Sequence, residues 1–213
     1  GPAPHRPYHP DYAPFNWRGW YDYGTGALGD IACHAFDGAF WSLQLDAPNR
    51  ITAETTPLYE ESFPAVSRIT YEVPSRSSAA GSTVRLVWRD GDLHPAQPTD
   101  WPDDRPWPPE EYNQIFVGTD GIILFGTSSY PQILPVSRHE EVMADPPEEV
   151  YERVPESYTE FVRAVRGGPA AGADFAGYAV PLTELVLLGN LAVRGQKPVE
   201  WDADDRTDRK SVV

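Results

Sequence analysis

Two segments decide the fold: SRITYEV at residues 67–73 and TVRLVWR at residues 83–89. Apolar side chains alternate with polar ones along both segments. Because successive side chains of a strand point to opposite faces, this period of two predicts antiparallel strands with one apolar and one polar face. Residues 50–56 predict a third strand, and residues 198–201 a short one.

Three helices are predicted around these strands. Residues 29–43 carry apolar side chains at spacings of three and four, as an amphipathic helix does. Ser157 and Glu160 have the spacing of a capping box at the start of a second helix. Residues 179–194 form a third, strongly apolar helix with proline in its first turn. The longest apolar stretch of the chain is too short, and its neighbouring residues are too polar, to predict a membrane span.

A hairpin and a proline-rich loop separate the strands from the later helices. Residues 114–125 contain two β-rich runs around Asp120-Gly121, a pair typical of tight hairpins, so we expect the hairpin to extend the sheet. Residues 94–109 are too rich in proline for a central strand and predict a long loop that can act as a lid. The predicted fold class is α+β, a mainly antiparallel open β-sheet with helices packed on one face.

The sequence predicts one α+β domain with flanking segments. Residues 1–17 are interrupted by proline and predict an extended arm or linker. Residues 18–201 hold the predicted strands and helices and form the expected α+β domain. Residues 202–213 predict a frayed tail.

Composition narrows the possible functions. The formal net charge of -15 repels phosphate backbones and anionic lipid, so we expect no nucleic-acid or membrane partner and a neutral small molecule instead. Cys33 is the single cysteine, so no disulfide forms within the chain. No cluster of metal-ligating residues stands out, and no metal is predicted. The expected location is the cytoplasm, or the periplasm if an export signal preceded the full-length protein.

One helix stripe carries the candidate acid–base residues. Asp30 and His34 are the catalytic candidates. Asp37 is a candidate for substrate binding or for a second orienting carboxylate, and its alternative is an ordinary charge on an exposed helix face. The three residues recur at spacings of four and three, so they share the side of the helix opposite its apolar stripe. Imidazole is the side chain best suited to proton exchange near neutral pH, so this stripe can carry acid–base chemistry. The alternative is a capping aspartate beside an ordinary surface histidine.

The segment before this helix combines flat rings with hydrogen-bonding groups. Arg18, Trp20, Tyr21, Asp22 and Tyr23 make a mixture suited to packing a sugar ring and recognising its hydroxyls. Ordinary core or interface packing explains the same residues equally well.

The glycines at positions 24, 26 and 29 spell the letters of a dinucleotide fingerprint. A true fingerprint follows a continuous apolar strand, whereas residues 18–23 are polar and aromatic. We therefore assign no cofactor contact to these glycines and expect a turn that enters a helix.

Residues 17–37, from WRGW to the Asp30-x-x-x-His34 pattern, resemble the opening segment of the C-terminal domain in Gfo/Idh/MocA oxidoreductases, most closely the bacterial branch with a WRGW-type start. Residues 158–202 are similar to the same branch's closing helices. The resemblance implies that residues 18–201 are a substrate-binding and catalytic domain. Its N-terminal Rossmann partner, which holds NAD or NADP, is expected to be absent from this chain.

The resemblance also implies roles for two residues. His34 corresponds to the acid–base at the reacting hydroxyl and Asp30 to its partner, on a sugar, polyol or related substrate. The family's lysine, in a Glu-Lys-Pro motif, has no counterpart here, because Lys197 and Lys210 stand in other contexts. Such enzymes form oligomers through the open sheet face, and we expect a homo-oligomer.

Two alternatives from other classes stay open. One is a stand-alone carbohydrate-binding or assembly module without turnover. The other is a redox-neutral enzyme that uses NAD transiently for elimination or glycoside cleavage. Without its Rossmann domain, this chain alone is expected to be inactive.

Overall fold

The computed structural model describes residues 3–126, 129–151, 153 and 156–209. Contacts divide the chain into two compact units, Gly1–Pro95 with Pro181–Val213 and Ala96–Val180. Helices and antiparallel strands together confirm the predicted α+β class. The helices are α1 (Gly26–Ser42), α2 (Val136–Ala144), α3 (Ser157–Val165) and α4 (Val180–Gly195). The strands are β1 (Arg50–Thr55), β2 (Ser67–Pro74), β3 (Thr83–Arg89), β4 (Gln114–Val117), β5 (Ile122–Gly126), β6 (Ser129–Leu134), β7 (Val199–Asp202) and β8 (Thr207–Asp208).

The first unit is built on a five-stranded sheet in the order β3-β2-β1-β7-β8. The register places Ile51 and Leu86 on either side of Tyr71, so all three share one face. Both helices of this unit cover that face: the Phe36 ring of α1 lies 5.8 Å from the Tyr71 ring, and the Tyr71 hydroxyl donates to the Val186 carbonyl of α4 at 3.3 Å. The prediction of helices on one face of the sheet is therefore confirmed.

The hairpin belongs to a different sheet from the one we predicted. β4, β5 and β6 form a separate three-stranded sheet in the second unit. Trp101, Leu124 and Leu134 form its core. Trp101 is only 2% exposed, and its indole N–H donates to the Arg105 carbonyl at 3.2 Å. The proline-rich segment is a loop, as predicted, and it contributes Trp101 to this core. Its role as a lid stays a prediction.

The helix at Ser157 forms without the predicted capping box. Glu156 occupies the N-cap position and no side chain caps the helix. The Glu160 carboxylate instead accepts a hydrogen bond from the backbone N–H of Gly172 at 2.7 Å. The prediction of the helix is confirmed, whereas the reciprocal cap is wrong because Glu160 is engaged by the loop that follows the helix.

Residues 202–209, which we expected to fray, turn back along the sheet. β8 pairs with β7, and the Arg209 side chain donates to Asp202 at 3.0 Å. Backbone N–H groups of Asp204 and Asp205 also donate to this carboxylate. At the other end, short 3-10 turns at Pro10–Tyr12 and Asn16–Gly19 interrupt the expected extended arm.

One helical stretch, Phe175–Gly195, is long and apolar enough to cross a membrane by length and composition. It is longer than the sequence predicted because a π-helical turn at Phe175–Ala179 precedes α4. Leu185, Val186 and Val193 of α4 are buried in the structure. Of the 18-residue window that meets this criterion, 39% is buried, and Val180, Leu187 and Leu191 stay exposed.

Candidate functional site

The start of α1 depends on close packing around two glycines. Any Cβ on Gly24 would overlap the backbone of Arg18, and Gly26 has a φ of +69° and lies against the Phe63 ring, whose Cγ would be 2.7 Å from an added Cβ. Residues 16–19 before them form a 3-10 turn instead of a strand, and Trp20 makes only an isolated bridge to Ser62. The strand–glycine–helix arrangement of a pyrophosphate site is therefore absent from this segment.

α1 has the two faces that its sequence predicts. Phe36 and Phe40 are buried, whereas His34 and Asp37 on the opposite side are exposed. Trp41 extends the exposed stripe and keeps 52% of its surface accessible. Because these groups are held on a regular helix, their spacing is fixed by the helix geometry.

Arg18 and Asp30 are brought together at the base of this stripe. The Arg18 Nε donates to Asp30 Oδ2 at 2.9 Å, and both side chains are about two-thirds buried. The guanidinium carbon lies 4.3 Å from the Phe15 ring centroid and 4.7 Å from that of Trp17. A planar guanidinium that stacks on rings while it pairs with a carboxylate has little freedom to move. The pair therefore fixes the Asp30 carboxylate at the helix start.

His34 lies one turn after Asp30, but the two are not hydrogen-bonded. Within the described residues, the Asp30 carboxylate accepts its hydrogen bond from Arg18. The His34 imidazole is exposed to solvent. The side chain that we predicted as the acid–base is thus accessible to a substrate, while its predicted partner has a different neighbour. The catalytic roles of both residues stay predictions.

The predicted sugar-binding rings are engaged in packing. Trp20 and Tyr23 pack edge-on against Tyr12, with ring centroids 5.0 Å and 5.3 Å away. The Tyr21 ring centroid lies 4.5 Å from that of Phe63. The same Tyr21 centroid lies 4.4 Å from the guanidinium carbon of Arg194. These contacts hold residues 20–23 in place within the first unit. Substrate binding by these residues stays a prediction.

Asp22 is held by an arginine of the N-terminal segment. Arg6 donates to Asp22 at 2.6 Å and to Glu61 at 2.8 Å. The hydrogen bond to Glu61 is the largest of the contributions that raise the pKa of Arg6. Arg6 therefore stays charged and ties the arm to the segment that precedes α1.

Sequence reasoning missed the Arg18–Asp30 pair, although it selected both residues separately. They are twelve positions apart, and only the 3-10 turn at Asn16–Gly19 brings them together. A stacked arginine is signalled by its aromatic neighbours in the sequence, but its carboxylate partner is not. Among the described residues, no group of three or more histidine, cysteine, aspartate or glutamate side chains is placed to hold a metal ion.

The structure thus defines an α+β domain with an exposed histidine on a helix whose start is fixed by an ion pair. Residues 1–80, which contain β1, β2 and all of this helix, match the model of a family described as oxidoreductase family, C-terminal alpha/beta domain. The match supports a general oxidoreductase domain and the Gfo/Idh/MocA resemblance in this part of the chain. No curated protein matches the chain.

Proposed function

We propose that this chain is the substrate-binding half of an NAD(P)-dependent oxidoreductase that acts on a sugar, a polyol or a related hydroxylated compound. The observation that carries the proposal is the exposed His34 on α1, one turn after an aspartate fixed by Arg18, inside the segment that matches the oxidoreductase family. Polar side chains on a rigid helix are well placed for acid–base chemistry.

In this proposal the chain contributes proton transfer. His34 takes the proton of the reacting hydroxyl as the alcohol is oxidised, and returns it in the reverse direction. The Asp30 carboxylate, one turn away, stabilises the imidazolium that forms. Arg18 holds that carboxylate in place through the 2.9 Å bond.

The dinucleotide is not assigned to residues of this chain. The glycines at positions 24, 26 and 29 do not fit a pyrophosphate site, because a 3-10 turn stands where the strand should be and Phe63 packs on Gly26. NAD or NADP would therefore be held mainly by a separate dinucleotide-binding domain. The proposal places that domain outside these 213 residues.

The polar face of the five-stranded sheet supports self-association. Its central row is the uncharged set Thr52, Thr70 and Val87, which the register places side by side. The two flanking rows together hold four arginines and three glutamates, although the whole chain has a net charge of -15. Two copies could therefore approach through this face with less repulsion than elsewhere. The flanking rows are Arg85, Glu72, Arg50 and Glu200 on one side and Glu54, Arg68 and Arg89 on the other.

A non-catalytic carbohydrate-binding module is the second candidate. The observation that favours it is that the Asp30 carboxylate is engaged by Arg18. Such a module would bind sugars without any redox reaction.

The two candidates are separated by one assay on the chain joined to a dinucleotide-binding domain. Sugars and polyols are supplied with NAD or NADP, and reduced nicotinamide is followed by its absorbance. The oxidoreductase proposal expects substrate-dependent reduction of one of the two cofactors. Calorimetric binding of a sugar without reduction of either cofactor would favour the module and contradict the first proposal.

A further inference from the structure

Residues 4–12 lie on the first unit as a strap that is held by two side chains. Arg6 and Tyr12 are partly buried, whereas every other residue of the strap is exposed. The strap belongs to the same unit as the segment that it contacts, residues 20–23. A segment with so few buried groups can open at a lower free energy than the core of the unit.

Both side chains of the strap contact residues that the sequence predicts to bind a sugar. Arg6 Nη2 donates to Asp22 Oδ2 at 2.6 Å. The Tyr12 ring lies 5.0 Å from the Trp20 ring and 5.3 Å from the Tyr23 ring, centroid to centroid, and is steeply inclined to both. With the strap in place, none of Trp20, Asp22 and Tyr23 is exposed.

The strap supplies the same kinds of contact that a sugar would make. A sugar packs its ring against aromatic side chains and donates hydrogen bonds from its hydroxyls to carboxylates. Tyr12 packs a ring against Trp20 and Tyr23, and Arg6 donates to the carboxylate of Asp22. The strap and a sugar at residues 20–23 would therefore compete for the same groups.

The ion pairs of the strap are open to solvent. Arg6 also donates to Glu61 at 2.8 Å. The side chains of Arg6, Asp22 and Glu61 keep 25%, 29% and 49% of their surface accessible. Ion pairs with this much exposure contribute little to stability and are screened by salt. Salt should therefore help to release the strap without unfolding the unit.

We propose that residues 4–12 are an autoinhibitory strap, which leaves Trp20, Asp22 and Tyr23 before a sugar or polyol binds there. The inference rests on the proposed function, which assigns a hydroxylated substrate to this chain. Only the fraction of molecules with a released strap binds the sugar, so the measured Kd is the intrinsic Kd divided by that fraction. Weakening the strap should therefore tighten sugar binding.

Calorimetric titration of the whole chain with myo-inositol, D-glucose and D-glucitol tests the proposal. Arg6→Gln removes both ion pairs of the strap and should lower the Kd of a bound probe by about three- to tenfold. Arg138→Gln is the matched control, because it removes the same charge from an exposed pair with Glu141 in the second unit. Its Kd should equal that of the wild type.

The dependence on salt gives a second readout. The probes are neutral, so salt has no direct effect on their charge. Raising NaCl from about 0.05 M to about 0.5 M should lower the wild-type Kd toward that of Arg6→Gln, whose own Kd should stay constant. Tyr12→Ala removes the other attachment without a change of charge and should also lower the Kd.

The sign of the change separates a strap from a supporting role. If Arg6 only holds Asp22 in position for the sugar, Arg6→Gln should weaken binding instead. Weaker or equal binding in Arg6→Gln and Tyr12→Ala would overturn the strap and leave sugar binding by this chain intact. A failure of the wild-type chain and of both variants to bind any of the probes would overturn the strap and also count against the proposed function.

Discussion

Gly189 allows α4 to lie closer to the sheet than any larger residue would. A Cβ added at Gly189 would overlap the hydroxyl of Tyr71 and would lie 2.7 Å from Leu28 Cδ2 and 3.0 Å from Tyr71 Cζ. Tyr71 is fully buried, so its ring has no solvent space to move into. We therefore expect Gly189→Ala to push α4 away from the sheet.

The size of this effect follows from two opposed contributions. Overpacking a tight core costs about 1–3 kcal/mol, and alanine returns up to about 1 kcal/mol over glycine within a helix. The expected net loss in the free energy of unfolding is about 1–2 kcal/mol. For a chain of this length each kcal/mol moves Tm by roughly 2–4 °C, so Tm should fall by about 2–8 °C.

A double-mutant cycle with Tyr71→Phe tests the cause. Tyr71→Phe removes the overlapping oxygen and breaks only the 3.3 Å hydrogen bond to the Val186 carbonyl, at a cost of about 1 kcal/mol. In that background Gly189→Ala should cost less than about 1 kcal/mol, as measured by urea and thermal unfolding.

Gly195→Ala is the matched control in the same helix. An added Cβ there meets nothing nearer than Lys197 Cγ at 3.6 Å, so its stability should be unchanged or slightly raised. The reasoning fails if the Gly189 and Tyr71 effects simply add, or if Gly189→Ala stabilises the protein as its helix propensity alone would predict.

Three further predictions concern the cofactor, the sheet face and the final turn. The isolated chain should show no useful NAD(H) affinity in titration calorimetry, because the Gly26 segment lacks a pyrophosphate site; micromolar binding would contradict this. The wild-type chain should self-associate in sedimentation experiments, and Thr70→Glu should weaken this association because it places a charge in the uncharged row of the sheet. A wild-type chain that stays monomeric at all concentrations would count against this prediction. Hydrogen bonds from the Asp205 and Asp204 backbone and from Arg209 lower the pKa of Asp202, so the turn that they form should be protected from amide exchange above about pH 4 and should lose this protection as the pH falls further. Asp202→Asn should remove this pH dependence. An equal dependence in both chains would refute the prediction.

The strands and the core helices could be predicted from the sequence because their signals are local. Alternation in residues 67–73 and 83–89 reproduces β2 to within one residue and gives the bounds of β3. β6 gives a weaker signal, since Pro131 and the exposed Tyr130 interrupt it. Its pairing with β5 depends on the hairpin being in place, which a local pattern does not contain.

The candidate site was predicted as a set of residues but not as a set of contacts. Helical spacing is enough to place His34 and Asp37 together on the exposed face of α1. The pairing of Arg18 with Asp30 requires a 3-10 turn, and the packing of Tyr21 depends on Arg194 from the far end of the chain. Long-range contacts of this kind follow from the tertiary fold and leave no periodic trace in the sequence.

The acid–base role of His34 can be measured directly in the chain joined to a dinucleotide-binding domain. His34→Asn should lower kcat by about two to four orders of magnitude, the usual range for a general acid–base. Its Tm should stay close to that of the wild type, because the imidazole is exposed. Asp30→Asn should reduce kcat less, since it removes the orienting charge but keeps the base. A His34→Asn enzyme that melts early yet turns over normally would contradict the account.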